Sequence, residues 1–161
     1  FTTRIINPDR LIDKFTGKEG LFENSPFDER TRQIIAKTKT PLGILIDKDL
    51  QQVNQVIIPI FSSDDSFLLD YAQKLISNND SQIIVLDVKG YSSTNFVLKS
   101  AINSLEQKYP KNVSFVNDKI IKKDFLADID LMIISVGSWK LLLDKYSIWL
   151  SRVPSVLIIK H

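Results

Sequence analysis

Two short stretches gather hydroxyls, carboxylates and a glycine directly behind apolar runs. They are Ser62-Ser63-Asp64-Asp65 after Phe61, and Ser135-Val136-Gly137-Ser138. Small polar residues ahead of a helix stand beside the free N–H groups of its first turn, a place that suits an anion. The same residues also serve the helix itself: a serine caps the first turn, and an aspartate complements the helix dipole. Asp124, Asp128 and Asp130 form a third polar group. No second set of carboxylates joins them, so they read as residues that cap or solvate a turn.

Composition removes most chemistry from these sites. The single histidine is the last residue, His161, and there is no cysteine. A zinc site or a histidine-based triad therefore lacks its parts, and so does a disulfide. No metal and no cofactor is expected. The lack of cysteine fits a reducing compartment. A net charge of +2 provides no basic patch for nucleic acid or for an acidic membrane surface. Without one, Trp139 and Trp149 read as core or interface anchors, not as platforms for bases. No apolar run approaches the ~18 residues of a membrane span, so no direct membrane insertion of this stretch is expected. The chain opens on Phe1 without a signal-peptide pattern, which is the expectation for a piece cut from a longer protein.

The elements that must hold these residues follow from periodicity. Gln55 to Phe61, Gln82 to Val88, Val113 to Val116, Asp130 to Val136 and Ser155 to Lys160 are short runs rich in valine and isoleucine, and predict buried strands. Between them, Leu68, Ala72, Leu75 and Ile76 form one helical stripe, and Leu98, Ala101, Ile102 and Leu105 a second. Ser63 and Thr94 sit where N-caps belong; Asn78-Asn79-Asp80 and Pro110 close the two helices. Strand alternating with helix predicts right-handed βαβ units and a parallel sheet covered on both faces, an α/β architecture. Ligands of such sheets bind beyond the carboxyl ends of the strands, where strand order reverses. The two polar stretches fall in loops of that kind.

Residues 1–52 read as an N-terminal extension to a unit spanning 53–161. Arg10 to Phe15 and Glu29 to Lys37 have helical character, with Asp28 capping the second, and Leu42 to Ile46 predicts one additional strand. That strand must find a partner for its backbone groups, and its expected neighbour is Ser155 to Lys160. In the last helical stretch Trp139, Leu141, Leu142, Leu143, Tyr146, Ile148, Trp149, Leu150 and Val153 make an apolar face wider than a surface helix needs. Burial under the extension, or contact with another subunit or a membrane domain, would use it.

Val56-Ile57-Ile58-Pro59-Ile60-Phe61-Ser62-Ser63-Asp64-Asp65-Ser66, followed by Leu69 and Tyr71-Ala72, resembles the opening of the universal stress protein fold. Ala127 to Ser138 and then Pro154 to Ile159 resemble its end. The resemblance implies about five parallel strands in the order 3-2-1-4-5. It also implies a nucleotide site near Phe61, Ser62, Ser63, Gly137 and Ser138. This site is degenerate. Nucleotide-binding members end the first strand in aspartate, where Phe61 stands here. Trp139-Lys140-Leu141 replaces their flexible glycine loop, and Asp144-Lys145 replaces a terminal glycine-serine. ATP binding is therefore not expected.

Upstream, Lys39-Thr40-Pro41-Leu42-Gly43-Ile44-Leu45-Ile46-Asp47-Lys48-Asp49-Leu50 resembles the segment before the stress-protein-like unit in cytosolic tails of plant and fungal cation/proton exchangers. Asp64-Asp65 fits their paired aspartate. The resemblance implies a non-catalytic regulatory or assembly domain of a K+(Na+)/H+ antiporter, with the transmembrane part of the same chain as its partner. The lysine- and asparagine-rich composition suits a yeast potassium/proton exchanger of an internal membrane, Golgi or endosomal. Adenine-nucleotide sensing is the alternative function. A homodimer is expected, through the edge strand Val156, Leu157, Ile158 and Ile159 or through the helix face of Trp139 and Leu143.

Overall fold

In the computed structural model, residues 2–6, 22–23, 29–117, 126–145 and 153–161 are described. Fourteen elements fall within them. The extension supplies β1 (Thr2–Ile6), β2 (Phe22–Glu23), α1 (Glu29–Lys37) and β3 (Leu42–Asp47). Next come β4 (Gln55–Ile60), a 3-10 turn (Ser63–Phe67), α2 (Leu68–Asn79) and β5 (Gln82–Asp87). A second 3-10 turn (Tyr91–Ser93), α3 (Phe96–Lys108) and β6 (Val113–Val116) follow. The last are β7 (Leu131–Ser135), α4 (Val136–Lys145) and β8 (Ser155–Lys160).

One sheet runs β2-β1-β3-β8-β7-β4-β5-β6. From β8 to β6 all pairings are parallel, so the parallel strands stand in the order 3-2-1-4-5. The fold is α/β. β3 joins antiparallel to β8 from Leu42↔Lys160 to Ile46↔Val156, the neighbour its sequence predicts. The extension holds more strand than its periodicity reveals, because β1 pairs antiparallel with both β3 and β2.

Strict alternation along the strands sends side chains to two cores. Val56, Ile58 and Ile60 of β4, with Leu131, Ile133, Leu157 and Ile159, meet Leu68, Ala72, Leu75, Leu98 and Ile102 of α2 and α3. Ile57, Met132, Ile134, Val156, Ile158, Ile44 and Ile46 face the other way, toward Trp139 and Leu142 of α4 and Ile35 of α1. Helices thus cover both faces, and the extension contributes to both cores, through Leu45 and Leu50 to the first and Ile44 and Ile46 to the second.

Two N-caps lie one residue from their expected places. Ser62 is extended at φ −142 and ψ 151 and its Oγ accepts from Asp64 N, so Ser63 is the first residue of the 3-10 turn. Asn95 caps α3 through Oδ1, which accepts from Leu98 N at 2.9 Å; Thr94 instead donates its hydroxyl back to Tyr91 O. The helical stretch at 10–15 and the cap at Asp28 lie outside the described residues, as do Asp124, Tyr146, Ile148, Trp149 and Leu150.

Two lysines fasten the extension to β8 from opposite ends. Lys48 Nζ donates to Val153 O at 2.6 Å, and Lys48 N donates to Ser155 Oγ. Lys160 Nζ donates to Ile35 O at 2.5 Å and Thr38 O at 2.6 Å, where α1 presents unpaired carbonyls and the negative end of its dipole.

Candidate functional site

Strand order reverses between β4 and β7, and the structure opens a crevice there. Its origin is Pro59. Ile60 O accepts from Val88 N on the β5 side, so by alternation Pro59 turns its nitrogen toward β7. That nitrogen has no hydrogen to donate. The β4–β7 ladder runs only through Val56↔Leu131 and Ile57↔Met132.

Asp65 fills the wedge. Its side chain is 2% exposed. Oδ2 accepts from Phe61 N and Ser62 N, both at 3.0 Å, and from Ser138 Oγ at 2.7 Å. Oδ1 accepts from Ser135 Oγ at 2.6 Å. Ser135 Oγ in turn accepts from Ser138 N at 3.1 Å and so caps α4. One carboxylate thereby joins the end of β4 to the start of α4 and takes the place of the ladder that Pro59 interrupts. A buried carboxylate surrounded by four donors is well satisfied.

Above this floor lies a cleft of about 610 Å³, lined by Phe61, Ser62, Asp64, Phe67, Gly137 and Leu141 among others. His161 stacks on Phe67 with ring centroids 4.7 Å apart and planes at 15°. Lys160 also reaches the cleft wall, yet its amine is committed to the α1 carbonyls.

The degenerate site that the sequence places at Phe61, Ser62, Ser63, Gly137 and Ser138 is thus largely assembled in one cleft, though its parts are differently engaged. Phe61 is buried and packs into the α4-side core. Ser63 lies in the adjoining 3-10 turn. Gly137 sits in the first turn of α4, because the helix begins at Val136 with no intervening loop. It is not among the residues of positive φ, and an added Cβ there meets nothing within 4 Å. No glycine loop wraps the cleft at this point.

Asp65 is the residue whose bridging role sequence reasoning misses. The sequence marks it as an acid in a first turn and as half of a paired aspartate, and its bridge depends on β7 lying beside β4. Asp87 is missed likewise. It is 0% exposed at the end of β5 and holds the next turn by accepting from Tyr91 N and Ser92 N. Asp130 does act as a turn residue, since Oδ2 accepts from Asn54 N and Gln55 N at the other end of β4. Asp128 is exposed. No group of three or more potential metal ligands exists among the described residues.

The strand expected as a dimer edge is an interior strand. β8 lies between β3 and β7, and Val156, Leu157, Ile158 and Ile159 are each at most 1% exposed. The extension covers the edge that a shorter chain would leave open. Trp139 is also buried, whereas Leu141 and Leu143 on the same helix are half-buried.

No protein-family model matches the chain, and no curated protein does. Among solved structures, one described as "Crystal structure of universal stress protein in complex with cAMP" is similar over 67% of this chain and 97% of its own, at 16% identity and a TM-score of 0.46. That is a likeness of fold alone.

Proposed function

We propose that this chain is a non-catalytic regulatory and assembly domain on the cytosolic side of a K+(Na+)/H+ antiporter of an internal membrane. Its partner in this reading is the transmembrane part of the same protein, and two such chains pair through a surface other than β8. The observation that carries the non-catalytic part is the Asp65 carboxylate at the floor of the switch-point crevice. The hydroxyls of Ser135 and Ser138, which line the crevice, donate to it. An anion placed there meets a negative charge and donors already in use. The antiporter part rests on the sequence resemblance over Lys39 to Leu50 and Val56 to Ser66. Reading the coding sequence upstream of Phe1 tests it: a series of apolar helices is expected, and an open reading frame without any refutes it.

Adenine-nucleotide sensing is the second reading, favoured by the size and place of the cleft. Its volume of about 610 Å³ falls within the range of small-molecule sites, at the point where α/β sheets bind ligands. Titration calorimetry with ATP and AMP separates the two. The first reading expects no binding heat at millimolar nucleotide, whereas a micromolar Kd establishes the second.

A further inference from the structure

We infer that the end of the sheet formed by the carboxyl ends of the parallel strands rests on an anionic lipid surface, with Phe96 and Val97 entering the headgroup layer. Phe96 is 82% exposed and Val97 67%, the large apolar side chains that the described residues leave in water. They are neighbours in the first turn of α3. Their exposure is imposed by the helix register. Leu98, Ile102 and Leu105 are buried against the sheet, and the Asn95 cap fixes where the helix begins, so Phe96 and Val97 must turn outward.

Charge is segregated around this wedge. Lys99 lies one turn beyond Phe96 on the same side of the helix. Lys89 precedes it, its amine 5.9 Å from the centre of the Tyr91 ring. Exposed Lys37 and Lys39 belong to the same end, because β3 starts there with Leu42 opposite Lys160. Among the described residues, Asp64 and Asp70 are the exposed acids that share it. At the opposite end exposed Asp49, Asp80, Asp128 and Asp144 are matched by exposed Lys108, Lys111 and Lys145. Among the described residues, exposed lysines therefore outnumber exposed acids at the wedge end and not at the other.

A lipid surface fits this pattern better than a protein partner. A docking helix or a second copy needs an apolar stripe over several turns. Here the positions that follow Phe96 on its face are Lys99 and Asn103, both exposed and polar. A small apolar wedge with lysines around it is instead the arrangement that binds an anionic interface without spanning it. The inference extends the reading of a membrane-tethered domain, in which tethering makes a weak contact sufficient. Its test does not depend on that reading.

The test is cosedimentation of the 161-residue chain with phosphatidylcholine vesicles, with and without phosphatidylserine. Binding is expected only with phosphatidylserine, and is weakened by salt. The double variant F96S/V97S should weaken it by about tenfold, and K89Q/K99Q should do so without touching an apolar residue. Both change exposed residues, so an unchanged urea midpoint confirms that they fold. Absence of binding, equal binding to neutral vesicles, or unaltered binding by both variants overturns the proposal. So does a dimer in sedimentation that F96S/V97S disperses, since the occupant is then a second copy. Each of these outcomes leaves the upstream-sequence test of the antiporter reading intact.

Discussion

Replacing Asp65 separates a structural bridge from an ordinary helix-capping acid. In Asp65→Ala, Phe61 N, Ser62 N, Ser135 Oγ and Ser138 Oγ all lose their acceptor. The two hydroxyls can rotate toward other oxygens, but the two amides are fixed by the end of β4. Loss of a hydrogen bond to a charged acceptor costs about 1.5–3 kcal/mol where the bond is buried, as at Phe61 N, and less where it is half-buried, as at Ser62 N. The substitution should therefore cost about 3–5 kcal/mol, against about 1 kcal/mol for a surface cap. For a chain of this length that lowers Tm by about 10 °C or more. Asp65→Asn should behave differently. Its carbonyl oxygen in the Oδ2 position keeps three donors, and its amide in the Oδ1 position faces Ser135 Oγ, which has lone pairs to accept. A cost of about 1 kcal/mol follows. Urea denaturation of both variants measures the difference. Equal losses, or a loss under about 1 kcal/mol for the alanine variant, refute the bridging role.

Three further outcomes follow from the same contacts. Lys160→Met removes the cation from the α1 carbonyls and should cost about 2 kcal/mol, with faster amide exchange in α1 and unchanged protection in β4; equal exchange in α1 contradicts it. Gly137→Ala should stabilise by about 0.5 kcal/mol, since the site is helical and a Cβ meets nothing there, and a lower urea midpoint would show that the glycine is required. Burial lowers the pKa of Lys48 below its usual 10.5. The folded state sheds this proton first, so the unfolded state binds more protons as pH nears 10.5, and the contribution of Lys48 to stability rises with pH there. Lys48→Met should flatten that slope between pH 8 and 10 (about the window below the free amine value), and parallel slopes in the two proteins refute it.

Strands and helices were legible wherever a run of apolar residues is long enough to carry its own period. β3 was legible together with its neighbour, because a strand behind Pro41 must pair somewhere and the last strand has an edge to give. β1 was not, since Thr2 to Ile6 becomes a strand through pairing with Gly43–Asp47, far along the chain. The caps were displaced by one residue for a local reason. Ser62 and Ser63 are equivalent by type, and the choice falls to Ser62 because Asp65 reaches back to its N–H. The two loops that strand order brings together line one cleft, while its floor was not visible. A carboxylate that accepts from both β4 and α4 requires the contact between residues 65 and 135, which no local pattern encodes.

Pro59, Asp65 and the extension act on one sheet in sequence. Pro59 breaks the ladder between β4 and β7, so the two halves of the parallel sheet are joined at their carboxyl ends by the carboxylate of Asp65. On the far side of β7, β8 is held by β3, and β3 is stapled by Lys48 and Lys160. Displacing β3 exposes β8, whose side chains are almost wholly buried on both faces, so the extension cannot peel away at the cost of a surface loop. It belongs to the same cooperative unit as the strands it covers.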